Sequence, residues 1–314
     1  LQFLTSTSYS DDFIFLPDST NAYLTSYVIA EKKSGVEYPG VSGNNVKMHW
    51  EPYHDLMEVN TTKGKEPFEM YDKEANMTGL LSLSSKELQG DGEIVIKNAE
   101  MDSHKFKFKN RTYDTDSCMF RLRTFMDSDI DEMASLEETK QYAYQTEDNF
   151  KASVNFDERQ AVFESTTGSK PVNFEENMYK CYMDMFTWYM DEDKTEFSSK
   201  DDPMAQVEGK GIRQQVDLDL NGTEFVSTHP GQDSLRFKSA NAVYLQRQKL
   251  IHAYGVPLLI VADAAIIPGT HEILIRAKAE MDEITDAEIL VNRETKNHTL
   301  YNGTLKVKGL HDYS

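Results

Sequence analysis

The sequence predicts an all-β chain. Its hairpins would stack into a β-solenoid or β-jellyroll, or pack as a sandwich-like elongated body, with one or two short helices. Three observations predict this. Apolar and polar residues alternate along many short runs, most sharply in FKFK from Phe106 and CMFRLR from Cys118, and period two is that of a half-buried strand. Polar stretches of hairpin-turn length separate these runs. A strand–turn–strand outline also recurs, in KMHWEPYHDLMEV from Lys47, VNFDERQAVFES from Val154 and AVYLQRQKLIHAYGV from Ala242. A lone hairpin is marginal in water. A series of them must bury its apolar faces against neighbours, by stacking or as a sandwich.

The elements follow along the chain. SYVIAEKKSGVEYPGV from Ser26 is a loose copy of the outline. In the Lys47 copy Met48 and Trp50 alternate, Glu51 to Asp55 turn, and Leu56 and Met57 restart. The stretch from Gly79 carries several alternating runs at short spacing, beginning with GLLSL and including GEIVIKNAEM from Gly92. DSDIDEMASLEETKQYAY from Asp127 is the best helix candidate, with acids in its first turn and Lys140 near its end. The Val154 copy turns at Asp157 to Gln160. SSKDDPMAQ from Ser198 reads as a hinge, which divides the chain into β-repeat regions 1–199 and 200–314, or joins them as one continuous body. VDLDLNGTEFVS from Val216 predicts a hairpin on a type I′ turn at Asn221-Gly222, and Asn302-Gly303 suggests a second. HEILIRAKAEM from His271 repeats the Gly92 shape, and AEILVNRETKNHTLYNGTLKV from Ala287 is a last loose hairpin.

Composition narrows the function classes. The chain has 314 residues, with 53 Asp and Glu against 33 Lys and Arg, a formal net charge of −20. That argues against nucleic acid, whose binders displace counterions with basic faces, and against anionic lipid headgroups. An acidic, solvated surface keeps a chain soluble and gathers cations. The longest apolar patch, VPLLIVADAAIIP, is broken by Asp263 and is too short to span a membrane as a helix. Cys118 and Cys181 stand far apart among strand-like residues, which predicts two buried free thiols, not a disulfide framework or zinc site. The chain opens LQFLT and ends HDYS just after a strand-like segment. Both ends read as cut, which predicts a fragment of a longer protein.

Candidate chemistry is sparse. Asp217, Asp219 and Asn221 match the opening of a calcium loop, yet Thr228 stands where a bidentate Glu would close it, so the hairpin is preferred. Asp127, Asp129 and Asp131 have Glu138 at the twelfth place but lack the glycine at the sixth. They are the metal candidates, and calcium is the one cofactor suggested. His49 and His54 flank a proline turn at a spacing that suits no metal site, and read as surface turn residues. No nucleophile elbow, dinucleotide fingerprint or phosphate loop occurs. YKCYMDMFTWYMD from Tyr179 is the densest aromatic stretch. A core strand is its bland reading. Tyr182, Trp188, Tyr189 and Asp191, with Phe186 and Asp184 nearby, are the ligand-face candidates. Six N-x-T sequons, at Asn60, Asn76, Asn110, Asn221, Asn297 and Asn302, read as Asn-bearing turns of a Thr-rich β-protein or as glycan acceptors.

ENMYKCYMDMFTWYMD, FVSTHPGQDSLRFKSANAVYLQRQKLIHAYGVPLLIVADAAIIP and NHTLYNGTLKV resemble segments of long, uncharacterised β-repeat proteins of Gram-negative envelopes. The likeness runs from about Gly79 onward. It implies a secreted or envelope-associated piece of a larger β-rich protein, and carries no activity. SVNFDERQAVFES and AVYLQRQKLIHAYG are more weakly similar to lipopolysaccharide-carrying β-jellyroll modules of the LptA/OstA type, from which the irregular spacing and acidic excess depart.

Together these readings predict a non-enzymatic structural or interaction module in a bacterial envelope or outside the cell. It would present an elongated acidic surface to a protein or polysaccharide partner. One alternative is lipid or lipopolysaccharide carriage in a β-groove lined by Val243, Leu245, Ile251 and Leu259. Another is a polysaccharide-active β-helix enzyme with two close carboxylates.

Overall fold

A computed structural model describes residues 6–15, 20–62, 64, 66–124, 141–147, 150–166 and 171–313. Among the described residues strands take 57% and helices 7%, mostly as antiparallel sheet, so the all-β expectation holds. The chain divides into two compact units: 1–121 with 148–162, and 122–147 with 163–314. The stretch from Ser198 lies inside the second unit.

The first unit opens with β1 (Ser6–Phe15), β2 (Thr20–Ile29) and β3 (Val41–Glu51), paired in that order. Beyond the turn at Pro52–His54, β4 (Leu56–Asn60) runs back along one end of β3, from Glu51↔Leu56 to Lys47↔Asn60. This is the hairpin expected from Lys47. β5 (Phe68–Met70) takes the other end of β3, at Val41↔Met70. β6 (Ala75–Leu83) pairs with both, Ala75–Met77 on β5 and Leu80–Leu83 on β4. Two short strands therefore fill one lane beside a long one.

A glycine pair sits where that lane is interrupted. β6 pairs with β7 (Leu88–Ile96), and Gly79 directly opposes Gly92, at φ +137° and +142°. A Cβ on Gly79 would lie 2.1 Å from the carbonyl oxygen of Asp91, and one on Gly92 as close to that of Thr78. Only glycine fits this approach. The Gly79 amide donates to Thr61 Oγ1 at 2.9 Å and its carbonyl accepts from the Thr61 amide at 3.0 Å, which closes the gap between β4 and β5. β8 (Ala99–Phe108) pairs with β7. β9 (Thr112–Arg123) pairs with β11 (Phe150–Asn155) from Thr112↔Asn155 to Cys118↔Phe150. β10 (Tyr142–Gln145), between them in sequence, belongs to the second unit. Phe156, in the turn that opened into β12 (Gln160–Ser165), stacks on Tyr71 at 4.1 Å. Phe106 meets Tyr113 edge-on at 5.6 Å.

The second unit continues with β13 (Val172–Phe174), β14 (Tyr179–Tyr182), β15 (Met185–Tyr189) and β16 (Lys194–Ser198). Helices α1 (Pro203–Val207) and α2 (Ile212–Gln215) follow. Then come β17 (Thr223–Ser227), β18 (Arg236–Ser239), β19 (Asn241–Leu245), β20 (Leu250–Tyr254), β21 (Leu259–Val261), β22 (Ala264–Ile267) and β23 (Glu272–Ile275). The last are β24 (Ile284–Leu290), β25 (Thr299–Leu305) and the small pair β26 (Val307–Gly309) and β27 (Asp312–Tyr313). Successive hairpins alternate between two antiparallel ladders. The first ladder is β10–β13–β14–β17–β18–β21–β22–β24–β25. The second is β15–β16–β19–β20–β23.

Rings from both ladders meet in a shared core. Tyr144 of β10 lies edge-on to Phe186, Phe197 and Tyr244 of the second ladder, at 6.2, 5.8 and 5.8 Å. Phe174 of β13 lies 5.3 Å from Tyr244. Asn177, in the turn after β13, donates to the carbonyls of Lys249 and Ile275 at 2.7 and 3.1 Å and pins the ladders together. VPLLIVADAAIIP is apolar on both faces because Ile212 of α2 covers Leu258, Ala265 and Leu290, with Ile260 and Ile267 beside them. A strand covered on both sides loses its alternation.

Three local expectations change. The helix candidate from Asp127 lies mostly outside the described residues, but its last three, Tyr142–Tyr144, are strand, with Tyr144 in the core. The described α-helices instead occupy 203–215, where Asp202 caps α1 by accepting from the Met204 amide at 2.8 Å. The hairpin from Val216 is absent. Val216 caps α2, Val216 and Asp217 turn, and only the second arm, Thr223–Ser227, is a strand. Asn302-Gly303 is not a chain reversal either. Asn302 (φ +56°) sits inside β25, where the register against β24 slips. An Asn-Gly pair supplies positive φ, and a bulge uses that as readily as a turn.

Candidate functional site

Strand parity decides which candidate residues reach solvent. In β14, Tyr179 and Cys181 face the core, so Tyr182 faces out. In β15, Phe186 and Trp188 face the core, so Tyr189 faces out. Trp188 is 3% exposed and Phe186 stacks on Phe163 at 4.3 Å, as the core-strand reading expects. Asp191 is exposed just beyond β15. Tyr182, Trp188, Tyr189 and Asp191 therefore do not share one surface. Tyr182 belongs to the first ladder, Tyr189 to the outer face of the second, and Trp188 to the interior.

Tyr182 lines a cavity of about 250 Å³ with Asp184, Asn221, Glu224 and Lys238. Cross-strand register builds it, since Tyr182 opposes Glu224 and Glu224 opposes Lys238. Asp184 accepts from the Lys200 amide at 2.7 Å.

The outer face of the second ladder carries a longer row in which polar and apolar side chains are mixed. Glu196 opposes Val243, which opposes His252, which opposes Leu274. Alongside, Asn241 opposes Tyr254, which opposes Glu272. His252 Nε2 lies 3.0 Å from Glu272 Oε2, and the Tyr254 hydroxyl 2.7 Å from His252 Nδ1. The two rings stack at 3.9 Å. Burial, reinforced by the Glu272 charge, raises the Tyr254 pKa. At the far side Tyr189 donates to Glu196 at 2.9 Å, and the Lys194 ammonium sits 4.4 Å from the Tyr189 ring centre. Lys194 is held protonated by Glu192 and Glu196. The sequence reading reached Tyr189 but missed His252, Tyr254 and Glu272. The available signal was His-x-Tyr inside a strand, which puts both rings on one face.

In the first unit, Arg121 gathers three carboxylates: Glu93 at 3.1 Å, Glu100 at 3.2 Å and Asp102. Glu100 is 1% exposed, and a carboxylate is buried there because a guanidinium meets it. Asp91, Glu93, Asp102 and His104 line a neighbouring cavity of about 220 Å³. His49 and His54 both reach Glu51, at 3.0 and 2.8 Å, and lower its pKa.

Asp127, Asp129, Asp131 and Glu138 lie outside the described residues. Asp217 pairs with Lys296. Among the described residues, no three His, Cys, Asp or Glu side chains converge as a metal site. Cys118 and Cys181 are free and buried, as expected, and burial pushes the Cys181 thiol up. Of the residues proposed to line a lipid groove, Ile251 and Leu259 are in the core, whereas Val243 and Leu245 face out. No described helix is long and apolar enough to cross a membrane. No family model, curated protein or solved structure matches the chain.

Proposed function

We propose that the chain is a non-enzymatic structural and interaction module of a secreted or envelope-associated bacterial protein. Its outward strand faces present an acidic surface to a protein or polysaccharide partner. One observation carries this reading: the chain divides its aromatic residues by face. Inward rings fill the core of the second unit, at separations such as 5.3 Å between Phe174 and Tyr244. Outward tyrosines stand among carboxylates, Tyr182 beside Glu224 and Tyr254 beside Glu272. A tyrosine with one wet edge among charged groups is suited to recognition. A lipid carrier would hold acyl chains where the inward rings meet, so the filled core supports surface recognition over carriage. The test combines a glycan array, a polysaccharide turnover assay and mass spectrometry of gently purified protein. Saturable, salt-sensitive retention without turnover is expected. Turnover, or stoichiometric co-purified lipid, overturns the reading.

A further inference from the structure

We propose that the outer face of the second ladder, centred on His252, Tyr254 and Glu272, docks a cationic segment of a partner protein. An arginine or lysine side chain would lie against the Tyr254 oxygen and the Glu272 carboxylate. The inference rests on the interaction-module reading and names the surface and the chemistry it takes.

The hydrogen-bond roles set the chemistry. The Glu272 carboxylate can only accept, so the neutral His252 imidazole carries its proton on Nε2, 3.0 Å away. Nδ1 is then an acceptor, and the Tyr254 hydroxyl donates to it at 2.7 Å. With its proton turned inward, the Tyr254 oxygen offers only lone pairs to a ligand. Glu272 offers its second oxygen. The pair therefore displays acceptors side by side, since Tyr254 and Glu272 are direct cross-strand partners. A guanidinium or ammonium, which only donates, matches such a surface; a sugar hydroxyl, which also needs donors, matches it less well.

The same face shows what a tyrosine beside a glutamate holds. Lys194 rests over the Tyr189 ring at 4.4 Å and within 3.2 Å of Glu196, which itself accepts from the Tyr189 hydroxyl. At Tyr254 the place beside the glutamate is taken by the flat His252 ring, stacked at 3.9 Å, which leaves the approach from solvent to a partner's cation. The His252 side chain is 19% exposed and that of Glu272 37%, so both are held in place while one edge stays open. The net charge of −20 favours the encounter with a cation at long range.

The probe is a synthetic hexa-arginine peptide, titrated calorimetrically at near-physiological salt, with maltohexaose as the uncharged comparison. Glu272→Gln keeps the shape and removes the charge. Glu158→Gln removes one charge from an exposed turn of the first unit, and Tyr254→Phe removes the acceptor oxygen alone. Unfolding midpoints establish that each variant folds. Peptide affinity is expected to fall about tenfold in Glu272→Gln, to a lesser extent in Tyr254→Phe, and less than twofold in Glu158→Gln. Equal losses in Glu272→Gln and Glu158→Gln would mean the peptide reads the general acidic surface; the docking site is then wrong and the interaction-module reading stands. Glu272-dependent binding of maltohexaose without peptide binding would replace the cationic segment with a saccharide. If wild type binds neither probe, the site is wrong, and the array decides the wider reading.

Discussion

Asn177 offers the sharpest test of how the two ladders of the second unit are joined. It is fully buried, and its Nδ2 donates to the carbonyls of Lys249 and Ile275 while Oδ1 has no partner. Asn177→Ala removes both bonds. At about 0.5–1.5 kcal/mol net each, the expected cost is about 1–3 kcal/mol, with the loss of the orphaned oxygen giving a little back. Asn177→Asp keeps the size but puts an acceptor against two carbonyls, so about 3 kcal/mol or more is expected at pH 7. That buried carboxyl would have a folded pKa above its unfolded value. The Asn177→Asp variant is therefore most stable below the unfolded pKa of about 4 and loses stability as pH rises through the folded pKa. The gap between Asn177→Asp and Asn177→Ala should therefore narrow on acidification. Urea unfolding in a Trp50→Phe background leaves Trp188 as the one tryptophan, reporting the second unit. Asn177→Asp as stable as Asn177→Ala at pH 7, or either as stable as the parent, would refute the assigned donor role.

Other expectations are independent of this one. Gly79→Ala and Gly92→Ala should each cost about 3 kcal/mol or more, or prevent folding of the first unit, because the new Cβ meets a carbonyl oxygen at 2.1 Å; soluble yield and thermal unfolding check this. Cys118 and Cys181 are buried, so a thiol reagent should label neither in the native protein and both in urea. Asp282 has its pKa lowered by the Arg276 guanidinium, bonded at 2.6 and 2.7 Å. This depressed pKa stabilises the fold above the unfolded value near 3.8 and ceases to as pH falls through the folded value. Asp282→Asn should thus lower the unfolding midpoint at pH 7, and the difference should shrink as the pH is taken progressively below 3.8.

The hairpins around Glu51–Asp55 and Gln246–Lys249 were legible because alternation and turn chemistry are local and agree with each other. The helices at 203–215 were not, since five and four residues are too few to show a helical period. Asp202-Pro203 was a readable start signal that the hinge reading passed over. The type I′ turn at Asn221-Gly222 misled because the dipeptide reports positive φ, which the chain uses only at Gly222 (+150°), against Pro203 and Ser239. For the site, Tyr189 was reached through aromatic density. That signal could not separate it from Trp188, whereas parity along β15 could have.

Alternation, turn residues and acidic excess are properties of neighbouring residues, and they were enough to specify antiparallel strands, polar turns and buried thiols. Which hairpins share a ladder, and which outward side chains become neighbours, depends on pairings between distant segments. Tyr254 meets Glu272 and Tyr182 meets Glu224 only through β20–β23 and β14–β17 register. A slip of one residue would turn each partner to the opposite face, and no local pattern in those strands specifies the partner.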